Sequence, residues 1–302
     1  MYKKYDKIKN KGFRFADFLG TGFSVEEKLD GANASFTYDR ANDKMRAFSR
    51  NQELSEGNTL NGFYGFVQEL YQEFNESQLA LLEGRTIFGE WMTKHKVDYK
   101  DEVYKRFFAF DTFNLETERY EDYYTRTQIF VRLQLDVAPV MKLVTSQQIK
   151  EGLAEEIQAL VGKSSLTMRP DTGEGIVIKS LEDRSVTEES YKFVTDAFRE
   201  SKRLKKAKPV QGAEHIVDYA ITSNRLEKLI YKKMDEGVLE ESDLTLQQFG
   251  KVMGAVAKDF QEDILEEEMD VLVKQIRQRI GKQLPNVLRP FLEERDMADS
   301  DI

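Results

Sequence analysis

Cysteine is absent from the 302 residues, which excludes disulfides, thiolate metal sites and cysteine nucleophiles. Histidine is almost absent: His95 and His215 are the two in the chain, too few for a histidine-built metal cage and a poor basis for a Ser-His-Asp triad. Chemistry is therefore left to Lys, Arg, Asp, Glu and Tyr. Long apolar runs are missing too. None reaches the roughly 18 residues that a transmembrane helix needs, and the opening Met1-Tyr-Lys-Lys-Tyr-Asp-Lys has no apolar core of a signal peptide. The chain is expected to be cytoplasmic, with no membrane partner. What is present suits a folded protein: 40% hydrophobic and 33% charged residues, in a length that at about 150 residues per domain suggests two domains, with one large domain still allowed.

The net charge of −9 is unevenly spread. From Pro209 to Ile302 there are 12 basic and 20 acidic residues, net −8, which leaves positions 1 to 208 close to neutral at −1. Between the two parts, Arg199, Lys202, Arg203, Lys205, Lys206 and Lys208 concentrate positive charge against one Glu200. Such a run suits either a solvated linker or contact with phosphates.

Residues 1 to about 204 alternate between strand and helix signals. Strands are predicted at Ser24 to Leu29, Ala34 to Tyr38, Arg85 to Trp91, Arg106 to Phe113 and Gly175 to Lys179, with helices at Gly65 to Phe74 and Ser146 to Val161. Because one helix does not regularly follow each strand, an α+β arrangement of mixed or antiparallel sheets is expected rather than a doubly wound parallel sheet. From about Ala213, apolar residues fall at three-to-four spacing and predict an all-α C-terminal part. There, Leu244-Thr245 starts a helix, Gly281 ends one, and Pro285 and Pro290 bracket a short last segment. His95, in Lys94-His-Lys96, reads as a surface loop residue, and the acidic run Glu262 to Asp270 as a solvated helix face.

The string Val25-Glu-Glu-Lys-Leu-Asp-Gly-Ala-Asn-Ala-Ser35 carries the first chemical signal: a lysine at a strand end, with glycine three residues on. A desolvated lysine can serve as a nucleophile, and glycine lets a backbone approach a phosphate. Alone, Lys-x-x-Gly is weak, and a surface lysine before a turn explains it better. Further strings follow in order: Phe88-Gly-Glu-Trp91, Phe107-Phe-Ala-Phe-Asp111, Glu174-Gly-Ile-Val-Ile-Lys179 and Tyr191-Lys-Phe193. Together they supply carboxylates for ribose hydroxyls and a metal ion, a ring face for a base, and lysines for phosphates.

With these motifs the sequence resembles the covalent nucleotidyltransferases, and within them the RNA ligase 2 family of phage-type, ATP-dependent double-strand RNA ligases. The likeness also takes in Tyr2-Lys-Lys-Tyr5, Ile221-Thr-Ser-Asn-Arg-Leu226, Phe249-Gly-Lys-Val-Met-Gly254 and Val287-Leu-Arg-Pro290. It implies an α+β nucleotidyltransferase (adenylyltransferase) domain at 1–204, a basic linker at 205–212 and an all-α C-terminal domain at 213–302. Carried over by motif, Lys28 would attack the α-phosphate of ATP and hold AMP. Glu27 and Asn33 would line the adenylate pocket, Arg50 would touch the nucleotide or the nick phosphate, Glu90 would bind the ribose and Phe110 would stack on adenine. Glu174 would hold Mg²⁺ or Mn²⁺, Lys179 and Lys192 would contact the α-phosphate, and Asn224 and Arg225 would contact nucleic acid.

The implied activity seals 3′-hydroxyl/5′-phosphate nicks in double-stranded RNA or an RNA/DNA hybrid through a lysine-AMP intermediate, in a monomer. Two departures stand out. The last motif reads Lys192-Phe193-Val194 where Lys-x-Lys is common, which leaves one phosphate-binding cation missing or supplied from elsewhere, Lys202 being one candidate. Asp30 stands where the phage enzyme has histidine and DNA ligases have aspartate. A DNA or mixed-substrate ligase, and an inactive ligase-derived nucleic-acid-binding protein, remain the alternatives.

Overall fold

A computed structural model describes residues 3–8, 14–184, 190–199 and 217–300, with 293–300 by backbone alone. The expected basic linker and His215 lie outside the described residues. In chain order the strands are β1 (Phe23–Lys28), β2 (Ala32–Asp39), β3 (Lys44–Ser49), β4 (Arg85–Trp91), β5 (Phe107–Asn114), β6 (Arg119–Tyr120), β7 (Asp136–Val137), β8 (Val140–Val144), β9 (Gly175–Ser180) and β10 (Ser190–Val194). The helices are α1 (Phe63–Glu73), α2 (Glu76–Leu82), α3 (Tyr123–Arg132), α4 (Leu153–Gln158), α5 (Ser223–Asp235) and α6 (Phe249–Ser300).

The strands form two sheets, one of four strands in the order β10-β9-β1-β8 and one of six in the order β3-β2-β4-β5-β6 with β7 beside β5. All pairings are antiparallel except β5 with β7, so the expected α+β class with mixed, mainly antiparallel sheets is what forms. β1 and β2 belong to different sheets, and Leu29-Asp30-Gly31 is the corner between them. The lysine motif thus lies where two sheets diverge.

Side-chain alternation gives each sheet one oily face. On β1, Phe23 and Val25 pack with Phe18, Val144, Ile176, Ile178 and Tyr191, while Ser24, Glu26 and Lys28 occupy the opposite face. In the six-stranded sheet, Ala34, Phe36, Ile87 and Phe107 pack beneath Phe63 and Val67 of α1 and Leu79 and Leu82 of α2. α2 starts at a capping box in which Asn75 accepts from the Ser77 and Gln78 amides and the Gln78 side chain reaches back to the Asn75 N–H.

The C-terminal part is all helical among the described residues, and its apolar core is small: Tyr219, Ala220, Ile264 and Leu272. Gly281 does not end a helix, because α6 runs 52 residues through it and through Pro285 and Pro290. The ring of Pro285 falls against the carbonyl of Gly281 and that of Pro290 against Asn286, one turn back, and their surroundings are exposed, so water can take the carbonyls that lose an amide partner. The predicted helix Ser146 to Val161 is split instead. A 3-10 turn at Ser146–Gln148 and α4 are separated by Gly152, whose φ of +84° is not helical.

Candidate active site

Antiparallel register brings the separate motifs together. Lys28 pairs with Gly175 across β1 and β9, which sets Glu174 beside it, and the Lys28 Nζ donates to Glu174 Oε2 at 2.7 Å. In the other sheet Asn33 lies opposite Glu90, and Glu90 opposite Phe108. Between the sheets lies a cavity of about 490 Å³, within the usual range of small-ligand sites. Glu27, Lys28, Asn33, Arg50, Glu90, Phe110, Glu174, Lys179 and Lys192 all line it; Asn224 and Arg225 do not.

Gly31 has a more specific task than clearing space for a phosphate. A Cβ there would stand 2.6 Å from the Trp91 carbonyl and 3.1 Å from the Glu90 Cγ. Its N–H donates to Glu90 Oε1 at 3.1 Å. Glycine is therefore needed to seat the motif corner against β4, and this contact orients Glu90. Gly175 is held in the same way, since a Cβ would lie 2.0 Å from the Phe193 carbonyl. The close approach of β10 to β9 places Lys192 opposite Val177 on the cavity side.

The carboxylates around Lys28 differ in charge state. Burial pushes Glu90 up to about 7, with Lys28 opposing, and pushes Glu27 up to about 7, with a hydrogen bond to Ser164 opposing. Burial also raises Glu174 despite the Lys28 ammonium. Glu27 Oε1 is buried with no hydrogen-bond partner. These are oxygen donors held partly desolvated around one lysine, a set that suits sugar hydroxyls, hard divalent cations or proton exchange.

Lys179 differs from its expected role. It is 2% exposed, and its ammonium is shared among Glu26 at 2.9 Å, Asp111 at 3.2 Å and the Phe110 carbonyl at 2.9 Å. Arg126 pairs with both acids and Arg184 with Asp111, while Tyr5 donates to Asp111 Oδ2 at 2.7 Å. Burial alone would raise Glu26, yet the Arg126 and Lys179 charges outweigh it and hold the carboxyl at about 2. Lys179 is thus a member of a buried ion network under Phe110 that reaches the cavity wall, not a cation standing open in it. The sequence offers no mark of this network, because Arg126 and Arg184 are far apart in the chain and belong to no shared motif.

Four further expectations change. Arg225 is fully buried: its guanidinium binds Asp263, Glu268 at 3.1 Å and the Ala220 carbonyl at 3.2 Å, joining α5 to α6, so it offers nothing to a nucleic acid. Asn224 spends its amide on the Arg199 carbonyl at 3.0 Å and accepts from Lys96 at 3.0 Å. His95 is not a surface residue. Its ring lies between Asp235, 2.7 Å from Nε2, and Asp30, 3.5 Å from Nδ1, and stacks on Tyr231. Burial would lower its pKa, but the two aspartates raise it to about 10, so it bridges the motif corner to α5 as an imidazolium. Asp30 also accepts from the Lys96 and Val97 amides at 3.0 and 2.9 Å. The acidic run is a solvated face only in part: Glu262, Glu266 and Asp270 are exposed, but Glu267 and Glu268 are buried, and Glu262, Asp263, Glu266 and Glu267 line the cavity.

The profile of a family described as RNA ligase matches residues 22–194, more than half of the chain, from the entry to β1 to the end of β10. No curated protein matches. Among solved structures, an RNA ligase mutant of Naegleria gruberi with ATP and Mn superposes with a TM-score of 0.44 at 21% identity, covering 59% of this chain and 50% of that one. An apo mutant of the same ligase gives 0.47 at 19% identity over 65% and 56%. The chain spans about half the length of the solved ligases it matches.

Proposed function

The chain belongs to the RNA ligase family, and from that premise we propose that it is an ATP-dependent ligase that seals 3′-hydroxyl/5′-phosphate nicks in double-stranded RNA through an AMP carried on Lys28. The observation that carries this reading is Lys28 itself: it ends β1 at the floor of the intersheet cavity, is partly exposed, and has one buried carboxylate, Glu174, at hydrogen-bond distance. In the first transfer the Lys28 ammonium gives a proton to the Glu174 carboxylate it faces, the freed nitrogen forms a bond to the α-phosphorus of ATP, the bond to pyrophosphate breaks, and a second nitrogen proton passes to solvent as the phosphoramidate forms. AMP then passes to a 5′-phosphate, and the adjacent 3′-hydroxyl displaces it.

The other residues fit supporting roles. Glu90, held by Gly31, faces Asn33 across β2 and β4 and is placed to bind ribose, and Phe110 offers a ring at the cavity wall for adenine. Among the described residues no group of three or more His, Asp or Glu forms a metal cage. Mg²⁺ or Mn²⁺ would rest on Glu174, with the unpartnered Glu27 oxygen in reserve, and on phosphate oxygens. When bound, such an ion neutralises charge on the transferring phosphate. We place the adenylyltransferase unit at 1–204 and the helical unit at 213–302. Asp30 gives little support to a DNA substrate, because its carboxylate already ties the 95–97 turn to the motif corner.

Intact-mass measurement after incubation with ATP and magnesium, against Lys28→Ala treated identically, tests the reading. A gain of one AMP in the wild type alone is expected, followed by joining of nicked RNA more readily than nicked DNA. No gain, with GTP also tried and prior adenylylation removed by pyrophosphate, overturns it in favour of an inactive nucleic-acid-binding protein.

A further inference from the structure

Part of the lining of the cavity that holds Lys28 is acidic, and two lysines from opposite ends of the nucleotidyltransferase part are locked onto it. Lys7, in the N-terminal segment, pairs with Asp263 at 2.6 Å and Glu266 at 2.8 Å; Lys192, on β10, pairs with Glu267 at 2.9 Å. All three carboxylates sit on one turn of α6, and both lysines line the cavity that holds Lys28. Positions three and four apart on a helix stand about 5–6 Å from each other, so α6 presents a short row of anionic oxygens to a cationic pair. A row of phosphate oxygens would make the same demands on these lysines: charge, hydrogen-bond acceptance and close spacing. The arrangement gives a use to three of the 20 acidic residues in a part of the chain expected to meet nucleic acid.

Resting on the ligase reading above, we propose that Lys7 and Lys192 are a phosphate-binding pair, Lys7 supplying the cation that Val194 lacks, and that the acidic face of α6 is an internal phosphate mimic that the substrate must displace. Loading then requires the α6 row to part from the two lysines. Removing its charge therefore tightens phosphate binding, whereas a structural role for the same ion pairs predicts the reverse. The ligand is a phosphate group, belonging either to the nucleotide or to the RNA strand.

The test uses Glu266→Gln, whose half-exposed side chain pairs with Lys7, and the double variant Glu266→Gln/Glu267→Gln, with folding checked by thermal melting. The expected result is an about threefold lower ATP concentration for half-maximal AMP attachment at unchanged maximal rate, the size of one partly exposed ion pair. Lys7→Ala should raise that concentration and abolish the effect of Glu266→Gln. Nicked RNA duplex binding, measured in parallel, identifies the source: tightening with ATP assigns the phosphates to the nucleotide, and tightening with duplex alone assigns them to RNA. Tightening with neither, or weaker binding of both, overturns the proposal. If Lys28 takes no AMP at all, the preceding reading fails, and calorimetric binding of inorganic pyrophosphate to wild type and Glu266→Gln still decides this one by the same sign.

Discussion

Lys28 and Lys179 lie on neighbouring strands of one sheet, face the same cavity and bind carboxylates, yet their surroundings differ in kind. Lys28 keeps about a fifth of its side chain exposed and has Glu174 as its ion partner. Lys179 is sealed in with two acids, two arginines and a carbonyl. A buried charge surrounded by complementary charges is fixed in place, and moving it would strand its partners in a medium that cannot solvate them. Lys28, with Glu174 as its ion partner among the described residues, is the less enclosed of the two and the one that the proposed AMP attachment calls for. The difference teaches that burial alone does not separate the two lysines: what separates them is how completely each charge is satisfied by its neighbours.

Substitutions at the two places should separate these roles. The largest effect is expected for Lys28→Ala: complete loss of AMP attachment by mass spectrometry, with stability changed by no more than about 1 kcal/mol, since Glu174, already raised by burial, can take up a proton when its partner is removed. Asp111→Ala strips partners from Lys179, Arg126, Arg184 and Tyr5 at once and should cost about 3–5 kcal/mol in denaturant titrations. If instead it left stability intact and abolished AMP attachment, the contrast between the two lysines would break. His95→Gln probes the clasp to α5 and should cost about 1–3 kcal/mol near neutral pH. Because the folded-state pKa is raised from 6.5 to about 10, the wild-type advantage is full below about pH 6.5 and shrinks as pH rises through 10. Arg106→Ala sets the lower bound: its pair with Asp136 is exposed on both sides, and about 0–1 kcal/mol that fades with salt is expected.

Local sequence patterns located five of the ten strands among the described residues: β1, β2, β4, β5 and β9. The strand predicted at Arg85 to Trp91 forms with those ends, and the one beginning at Gly175 runs a single residue past its predicted end. β10 was visible only as the motif Tyr191-Lys-Phe193, and β8, the other edge of the β1 sheet, was not seen, because its exposed and half-buried positions give a weak alternation. Gly281 and the prolines misled because their helix-ending tendency is a local average that α6 overrides. Nine of the expected site residues converge on one cavity because the motifs sit at strand ends, which the corner between sheets gathers. Arg225 was misread since a motif in sequence cannot say whether a guanidinium faces solvent or three acids from another helix.

By itself the sequence determined the family, through an ordered series of lysine and carboxylate motifs, and about half of the sheet-forming segments. Those properties are local, set by residue type and by spacing along the chain. Only the tertiary structure decided which of three motif lysines stands open, which is enclosed in an ion network and which is paired with an acidic helix. That choice depends on burial and on charges brought from distant positions, such as Glu267 to Lys192 and Asp235 to His95, and no local pattern encodes either.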